Sequence, residues 1–376
     1  MEAAAAFAFL IAVVPACGIA MAATPWLTPK RECFGVTVPP SAQNDAQIRA
    51  IKRRFAIRCL IVSAIAGAVT AGVGAQAQSH ADAFTATLVA ATLSCTLIPF
   101  AFMLKARKQV MAIKRKRDWQ AEQRMAAAVI VEGDMPHAIP LVWNLLYLPV
   151  ALIVIAIGII AYPSMPDTIP MHADFAGNVN RFAPKSIGVV FGFPVGLVAF
   201  MAAAFTFSHW AMTCSKRPSD PNAPAASALA YGLFARAQSI FLLVTGLCLT
   251  SAIGIGFMLS SAGVMTLDQC GAVIAIACIP VLVGSIALSL VYGQSGSRLL
   301  RRMQTRSEDD SMPADDDAHW KLGVFYCNPD DPSIWLPERF GVGWTLNFGR
   351  PAAWACIVGP SALTIALAVA CMTLAG

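Results

Sequence analysis

Tyr162-Pro-Ser-Met-Pro-Asp-Thr-Ile-Pro-Met-His-Ala-Asp-Phe-Ala-Gly-Asn-Val-Asn-Arg-Phe-Ala-Pro-Lys185 separates two long apolar runs, Leu141–Ala161 and Ile187–Met212. A membrane-spanning helix needs about 20 mostly apolar residues, and each run supplies them. The stretch between is therefore a loop at the membrane surface. Pro163, Pro166 and Pro170 fix φ and remove backbone donors, so the chain enters as stiff extended or turn segments. Asp167, His172 and Asp174 place ionisable groups on that frame, and Gly177 permits a sharp reversal.

Working outward, six more apolar runs have spanning length: Ala3–Ala23, Ala56–Ala75, Phe84–Leu104, Ser239–Leu259, Ala272–Tyr292 and Ala352–Leu374. The chain is 57% hydrophobic and 13% charged, about half the charge of a soluble domain. None of the runs alternates with period two, which excludes a transmembrane barrel. The expected fold is an all-α integral membrane protein of about eight helices, with a small aromatic-rich segment before the last. Five parts follow: residues 1–139, a basic three-helix unit; 140–213, a helix–loop–helix with its signature loop at 162–185; 214–294, two helices; 295–351, a linker and aromatic module; and 352–376, the last helix.

Orientation follows from charge. If eight spans alternate, Thr24–Phe55, Lys105–Pro140, Cys214–Gln238 and Gly293–Pro351 share one side. With Arg58, that side holds all but Arg181 and Lys185 of the 27 Lys and Arg residues. Positive charge stays cytoplasmic, which puts both termini outside. The net charge of +6 is thus a topology signal and points to no nucleic-acid partner. The basic runs Lys52–Arg54 and Lys114–Arg117 abut spans, where anionic lipid is the expected partner. Eleven cysteines, mostly within spans and lacking Cys-x-x-Cys, read as small apolar residues.

The spacing Pro163-x-x-Pro166-Asp167-x-Ile169-Pro170-x-His172-x-Asp174-x-x-Gly177, closing at Lys185, resembles the signature loop of a bacterial membrane domain of uncharacterised function. That domain occurs in SdpI-type immunity proteins, which protect a toxin producer from its own secreted peptide. The family pattern carries Asp and Trp where this chain has Asn180 and Phe182. The resemblance implies a multi-pass protein of the bacterial plasma membrane, with a peptide toxin and a regulatory protein as partners. A second stretch, Trp320-Lys-x-Gly-x-Phe-Tyr-x-Asn-Pro-Asp-Asp-Pro followed by Gly-x-Gly-Trp-Thr-x-Asn-Phe, resembles another small uncharacterised module. There Trp320, Tyr326, Asn328, Asp330, Asp331, Trp344 and Asn347 are expected to build a structural collar at the inner face. Phe34, Val36 and Val38 alternate before Pro39-Pro40, as in a short extended segment docked on that face.

Asp167, His172, Asp174, Asn180, Arg181 and Lys185 are the candidate ligand-binding residues, framed by Pro163, Pro166, Pro170 and Gly177. In an extended strand His172 and Asp174 share a face, and with Asp167 they form a His/carboxylate set suited to a divalent ion. The bland alternative is that they cap turns and pair with Arg181 or Lys185. No catalytic residue and no cofactor is expected. The span interiors lack Asp, Glu, Lys and Arg (Arg58 lies just inside the end of its span), and there is no His-Glu-x-x-His, Gly-x-Ser-x-Gly or phosphate loop. The expected function is non-enzymatic: engagement of an extracytoplasmic ligand in immunity, stress resistance or signalling. A transporter or facilitator is the rival reading, and a metal-dependent membrane enzyme a more distant one. Within spans, Asn144 is expected to make an interhelical hydrogen bond and His209 to anchor at the interface. The acidic groups Glu308–Asp310 and Asp315–Asp317 read as a solvated linker.

Overall fold

A computed structural model describes residues 2–75, 81–121, 135–173, 179–217, 220, 223–303, 312, 315–341 and 343–375. The chain runs through helix α1 (Glu2–Leu27), a hairpin of β1 (Glu32–Cys33) and β2 (Val36–Thr37), α2 (Ala46–Gly74), α3 (Ala81–Lys116) and α4 (Tyr147–Ala161). It continues through a second hairpin, β3 (Thr168–Ala173) and β4 (Val179–Pro184), then α5 (Phe193–Thr213), α6 (Pro224–Ser261), α7 (Leu267–Val291) and the short α8 (Ser297–Met303). Two further hairpins, β5 (Trp320–Lys321) with β6 (Phe325–Tyr326) and β7 (Trp335–Pro337) with β8 (Trp344–Leu346), precede α9 (Pro351–Ala375). Each pair is antiparallel and two-stranded.

Seven helical stretches among the described residues are long and apolar enough to cross a membrane: Ala46–Gly74, Asp82–Lys116, Leu141–Ser164, Gly188–Thr213, Pro224–Ser261, Leu267–Met303 and Pro351–Ala370. The eighth expected span falls on α1, whose stretch Ile11–Leu27 is an apolar helix shorter than these. Large apolar side chains such as Leu152, Ile160 and Ile276 point outward, the arrangement of helices whose solvent is lipid. Close approach inside the bundle relies on small residues. A Cβ on Gly254 would meet Val198 and Val154, and one on Gly158 would meet Phe191 and Met258.

Helices α1–α3 pack as one group, α4–α7 as another, and α1 against α7 joins them. Asp45 starts α2 by accepting from the Gln47 and Ile48 amides (2.8 and 3.1 Å), a side-chain cap. A π-turn at Gly188–Gly192 leads into α5, where Pro194 sits in the first turn. Asn144 does bond across helices, and its partner is His209 (3.0 Å). The His209 ring is buried, with Nε2 donating to the Ile139 carbonyl (3.1 Å). It is therefore packed inside the protein and bonded on both ring nitrogens.

The four polar segments expected on one side meet at one end of the bundle. Arg31 pairs with Asp220, Thr37 donates to Asp317, Lys114 binds Asp315 and Asp317, and Trp344 donates to Ser215. The β3–β4 hairpin lies at the other end, against α6, α7 and α9. Two expectations are corrected. Asp315–Asp317 is no solvated linker, since these carboxylates are paired with cations. The connectors also contain antiparallel hairpins, of which β1–β2 closes through two residues, Phe34-Gly35, and β5–β6 through three, Leu322-Gly323-Val324. Phe34 and Gly35 (φ 50° and 70°) and Leu322 and Gly323 (φ 55° and 82°) adopt left-handed pairs within them.

Candidate functional site

The β3–β4 ribbon pairs Thr168 with Pro184, Ile169 with Ala183, Pro170 with Phe182, His172 with Arg181 and Ala173 with Val179, with irregularities on both sides of His172. Strand alternation gives it two faces. Ile169 and Ala183 are buried with Met165, in one cluster with Val150, Val190, Val198 and Met258 from the helices beneath. Proline is tolerated at 170 and 184 because each strand of a two-stranded ribbon keeps a free edge. Pro163 lies in a 3-10 turn, Tyr162–Ser164, and Pro166 follows it.

Asp167, His172, Asn180, Arg181 and Phe182 are all exposed. His172 and Asn180 meet across the strands, Nδ1 to Oδ1 at 2.6 Å. The amide oxygen accepts, so Nδ1 carries the proton. Arg181 is the register partner of His172. Asp167 sits at the base of the ribbon, at the far end from this group. Lys185 closes that base: its amide donates to Asp167 O (2.8 Å), its ammonium donates to Met165 O (3.0 Å) and lies 4.9 Å from the Tyr162 ring centre. Its charge is thus satisfied by the hairpin itself. Asp174 and Gly177 lie outside the described residues. Among the described residues no three His, Cys, Asp or Glu side chains gather as metal ligands. What the ribbon presents is a bonded imidazole–amide pair, a guanidinium and an exposed phenyl ring, a set suited to a peptide or a lipid headgroup.

At the opposite end, Asn347 is fully buried and organises the aromatic module. Its amide nitrogen shares two hydrogens among the carbonyls of Asn328, Asp331 and Ser333 (2.8, 3.0 and 3.1 Å), and its oxygen accepts from the amides of Asn328 and Gly349 (3.0 and 3.1 Å). The Asn328-Pro-Asp-Asp-Pro332 turn is wrapped on this one side chain. Asn328 Oδ1 receives the Asp330 amide, and Asp331 receives the Tyr326 hydroxyl (3.1 Å) and Lys216 (2.6 Å). Burial alone would raise the Asp331 carboxyl, but Lys216 and the Ser333 donors outweigh it and hold it at about 2.

A charged junction, absent from the sequence reading, ties this module to the N-terminal unit. Arg339, 5% exposed, contacts Asp316 and Asp317 (2.5 Å to the latter), lies 3.8 Å from Glu32 and stacks 4.9 Å over Trp320. Next to it, Phe340 completes a ring cluster with Phe34 and Phe55 (centroids 5.5 and 5.8 Å away). Arg107 donates to the carbonyls of Gly35 and Trp320 and so bridges the two hairpins. Burial would raise Asp317, yet hydrogen bonds from Lys114 and Thr37 and the charge of Arg339 hold it below the usual carboxylate range. Glu32 goes the other way. Burial, with Asp316 and Asp317 nearby, lifts it from 4.5 to about 8 against the pull of Arg339, and its Oε2 has no hydrogen-bond partner.

The sign of the pH dependence follows. Between pH 4.5 and 8 the native chain holds a proton on Glu32 that the unfolded chain has lost, so stability falls as pH rises through that window. Glu338, raised by burial to about 7, acts in the same sense. Asp331 supplies the acid limb, since its contribution is lost as pH drops below 3.8 towards 2. Glu32→Gln is therefore expected to raise the thermal midpoint at pH 8 and to flatten the decline from pH 5 to 8. An unchanged slope in Glu32→Gln would remove Glu32 from this role.

Residues 150–198, from α4 through the ribbon into α5, match a domain of unknown function (DUF1648). Residues 329–354, from the Asn328–Pro332 turn into α9, match a family of unknown function (DUF5808). No curated protein and no solved structure matches the chain. The two matched stretches coincide with the two ends just described, the exposed ribbon and the module folded on Asn347.

Proposed function

We propose that this chain is a non-enzymatic membrane protein whose β3–β4 ribbon engages an extracytoplasmic ligand, with a membrane-active peptide as the leading class. The reading places it in toxin immunity, stress resistance or signalling, as the likeness to SdpI-type proteins implies. The observation that carries it is the two-sidedness of the ribbon. Ile169, Ala183 and Met165 seat it rigidly on the helices, while His172, Asn180, Arg181 and Phe182 stay exposed. A surface ordered beforehand loses little entropy on binding. Phe182, 55% exposed, is an aromatic anchor awaiting a partner. Helix α9 runs from the aromatic module to β4, a physical route by which occupancy at one end is felt at the other.

The test is survival and membrane potential in cells lacking the protein, challenged with a panel of membrane-active peptides. Wild type is expected to restore protection. Phe182→Ala and Arg181→Ala, both at exposed positions, are each expected to lower the tolerated peptide concentration about tenfold, at unchanged protein level. Equal depolarisation in deleted, complemented and variant cells would sink the proposal.

A further inference from the structure

Between α2 and α3, at the basic end, lies a pocket of about 220 Å³ lined by Ile51, Arg54, Phe55, Arg58, Phe102, Lys105, Ala106 and Gln109. Its floor is apolar and buried at Ile51, Phe55 and Ala106. Its rim holds three cations and an amide: Arg54 and Arg58 on successive turns of α2, Lys105 and Gln109 on successive turns of α3. No carboxylate lines it.

Several other cations of this end are instead held within the fold. Lys52 is buried and donates to Pro25 O and Gln43 (2.8 and 2.5 Å). Lys114 is held by Asp315 and Asp317, Arg117 by Asp45, Lys216 by Asp331 and Arg339 by its three acids. The basic runs that the sequence offered to lipid, Lys52–Arg54 and Lys114–Arg117, are thus partly consumed by the fold. The pocket cations converge instead on open space, where their mutual repulsion calls for an anion. Arg58 is held over the Phe102 ring at 5.8 Å, oriented before any ligand arrives.

We infer that this pocket binds the phosphodiester of an anionic phospholipid. The level of the pocket favours lipid over free phosphate. The apolar part of α2 begins just after Arg58 and that of α3 ends just before Lys105, so both cations stand at the headgroup layer. Below them the same helices turn Ile61, Ile65, Leu97 and Ile98 outward, a wall for acyl chains. Anionic lipid attracts basic side chains at about 1 kcal/mol each, and guanidinium groups bind phosphate in forked pairs.

The test is native mass spectrometry of the purified full chain titrated with dioleoylphosphatidylglycerol, dioleoylphosphatidylcholine or inorganic phosphate. Phosphatidylglycerol is expected to bind at least tenfold more tightly than phosphatidylcholine. Arg54→Gln/Arg58→Gln/Lys105→Gln is expected to weaken it about a hundredfold, and Lys105→Gln alone about fivefold. The charge-matched Lys108→Gln/Arg115→Gln/Lys116→Gln, exposed but outside the pocket, is expected to change it less than threefold. Equal loss in the two triple variants would mean diffuse surface attraction and would overturn the site. Displacement by millimolar phosphate would reassign it to a soluble anion. Should the pocket triple fail to fold, wild type with no preference for phosphatidylglycerol still refutes the proposal.

Discussion

Asn347→Ala is expected to unfold the aromatic module while leaving the helices in place. The substitution removes the donor shared by three part-buried carbonyls and the acceptor of two part-buried amides. Each intramolecular hydrogen bond contributes about 1 kcal/mol net, and each group left unsatisfied costs more. About 3–5 kcal/mol of local stability should go. Hydrogen exchange of the purified protein reads this directly: amides at 326–349 should lose protection, with those of α5 and α6 unchanged. Asn347→Asp should fare no better, since a carboxylate cannot donate to the three carbonyls. Intact protection in both variants would show that the turn holds itself.

The second large effect is expected at Arg339. Arg339→Met removes the one cation that Glu32, Asp316 and Asp317 share while keeping apolar bulk over Trp320. Breaking a buried ion pair from one side costs about 3–5 kcal/mol, and the lower end applies here because Asp317 keeps Lys114 and the Asp316 side chain is 41% exposed. Cys33 beside Glu32 reports the opening. It is buried, and burial pushes its thiol up to about 11. Maleimide labelling of Cys33, mapped by mass, should accelerate about 100- to 1000-fold. Adding Asp317→Asn should recover part of the loss, and Arg339→Lys should rescue incompletely for want of a planar fork. A labelling rate unchanged in Arg339→Met would show that Phe34, Phe55 and Phe340 alone hold the joint.

Much of this architecture was legible from elementary rules. The apolar runs marked seven of the helices, and counting lysines and arginines grouped the loops that meet at the basic end. The prolines around Ile169 marked the outer loop as stiff. That it is a hairpin was harder to read, since the pairing of Ile169 with Ala183 spans 14 positions and Pro170 and Pro184 argue against strands locally. The charged junction was invisible for a different reason. Asp315–Asp317 and Arg339 look like solvated surface in sequence, and only the fold brings Lys114, Glu32 and Thr37 to them. One local signal existed: Phe34-Gly-Val and Leu322-Gly-Val both place a large apolar residue before Gly-Val. In the candidate site, His172 and Asn180 were recognised as candidates separately, and only the closing of the irregular hairpin brings their side chains within bonding distance. Lys185 looked like a ligand because its partners, a carbonyl and a ring, carry no opposite charge.

The two Phe/Leu-Gly-Val turns touch back to back. A Cβ on Gly35 would fall 2.3 Å from the Gly323 carbonyl oxygen, so neither turn can close its contact without the other. The Thr37–Asp317 bond nearby joins residues 280 positions apart. A ribosome adding about 5–20 residues per second leaves the first turn waiting on the order of tens of seconds for its mate. During that interval Phe34 and Phe55 have no Phe340 to cover them, and Arg107 has only one of its two carbonyls. Completion of this joint therefore marks a chain translated and threaded as far as its last helix, and an interrupted one displays bare aromatic rings to the proteases that survey nascent membrane proteins.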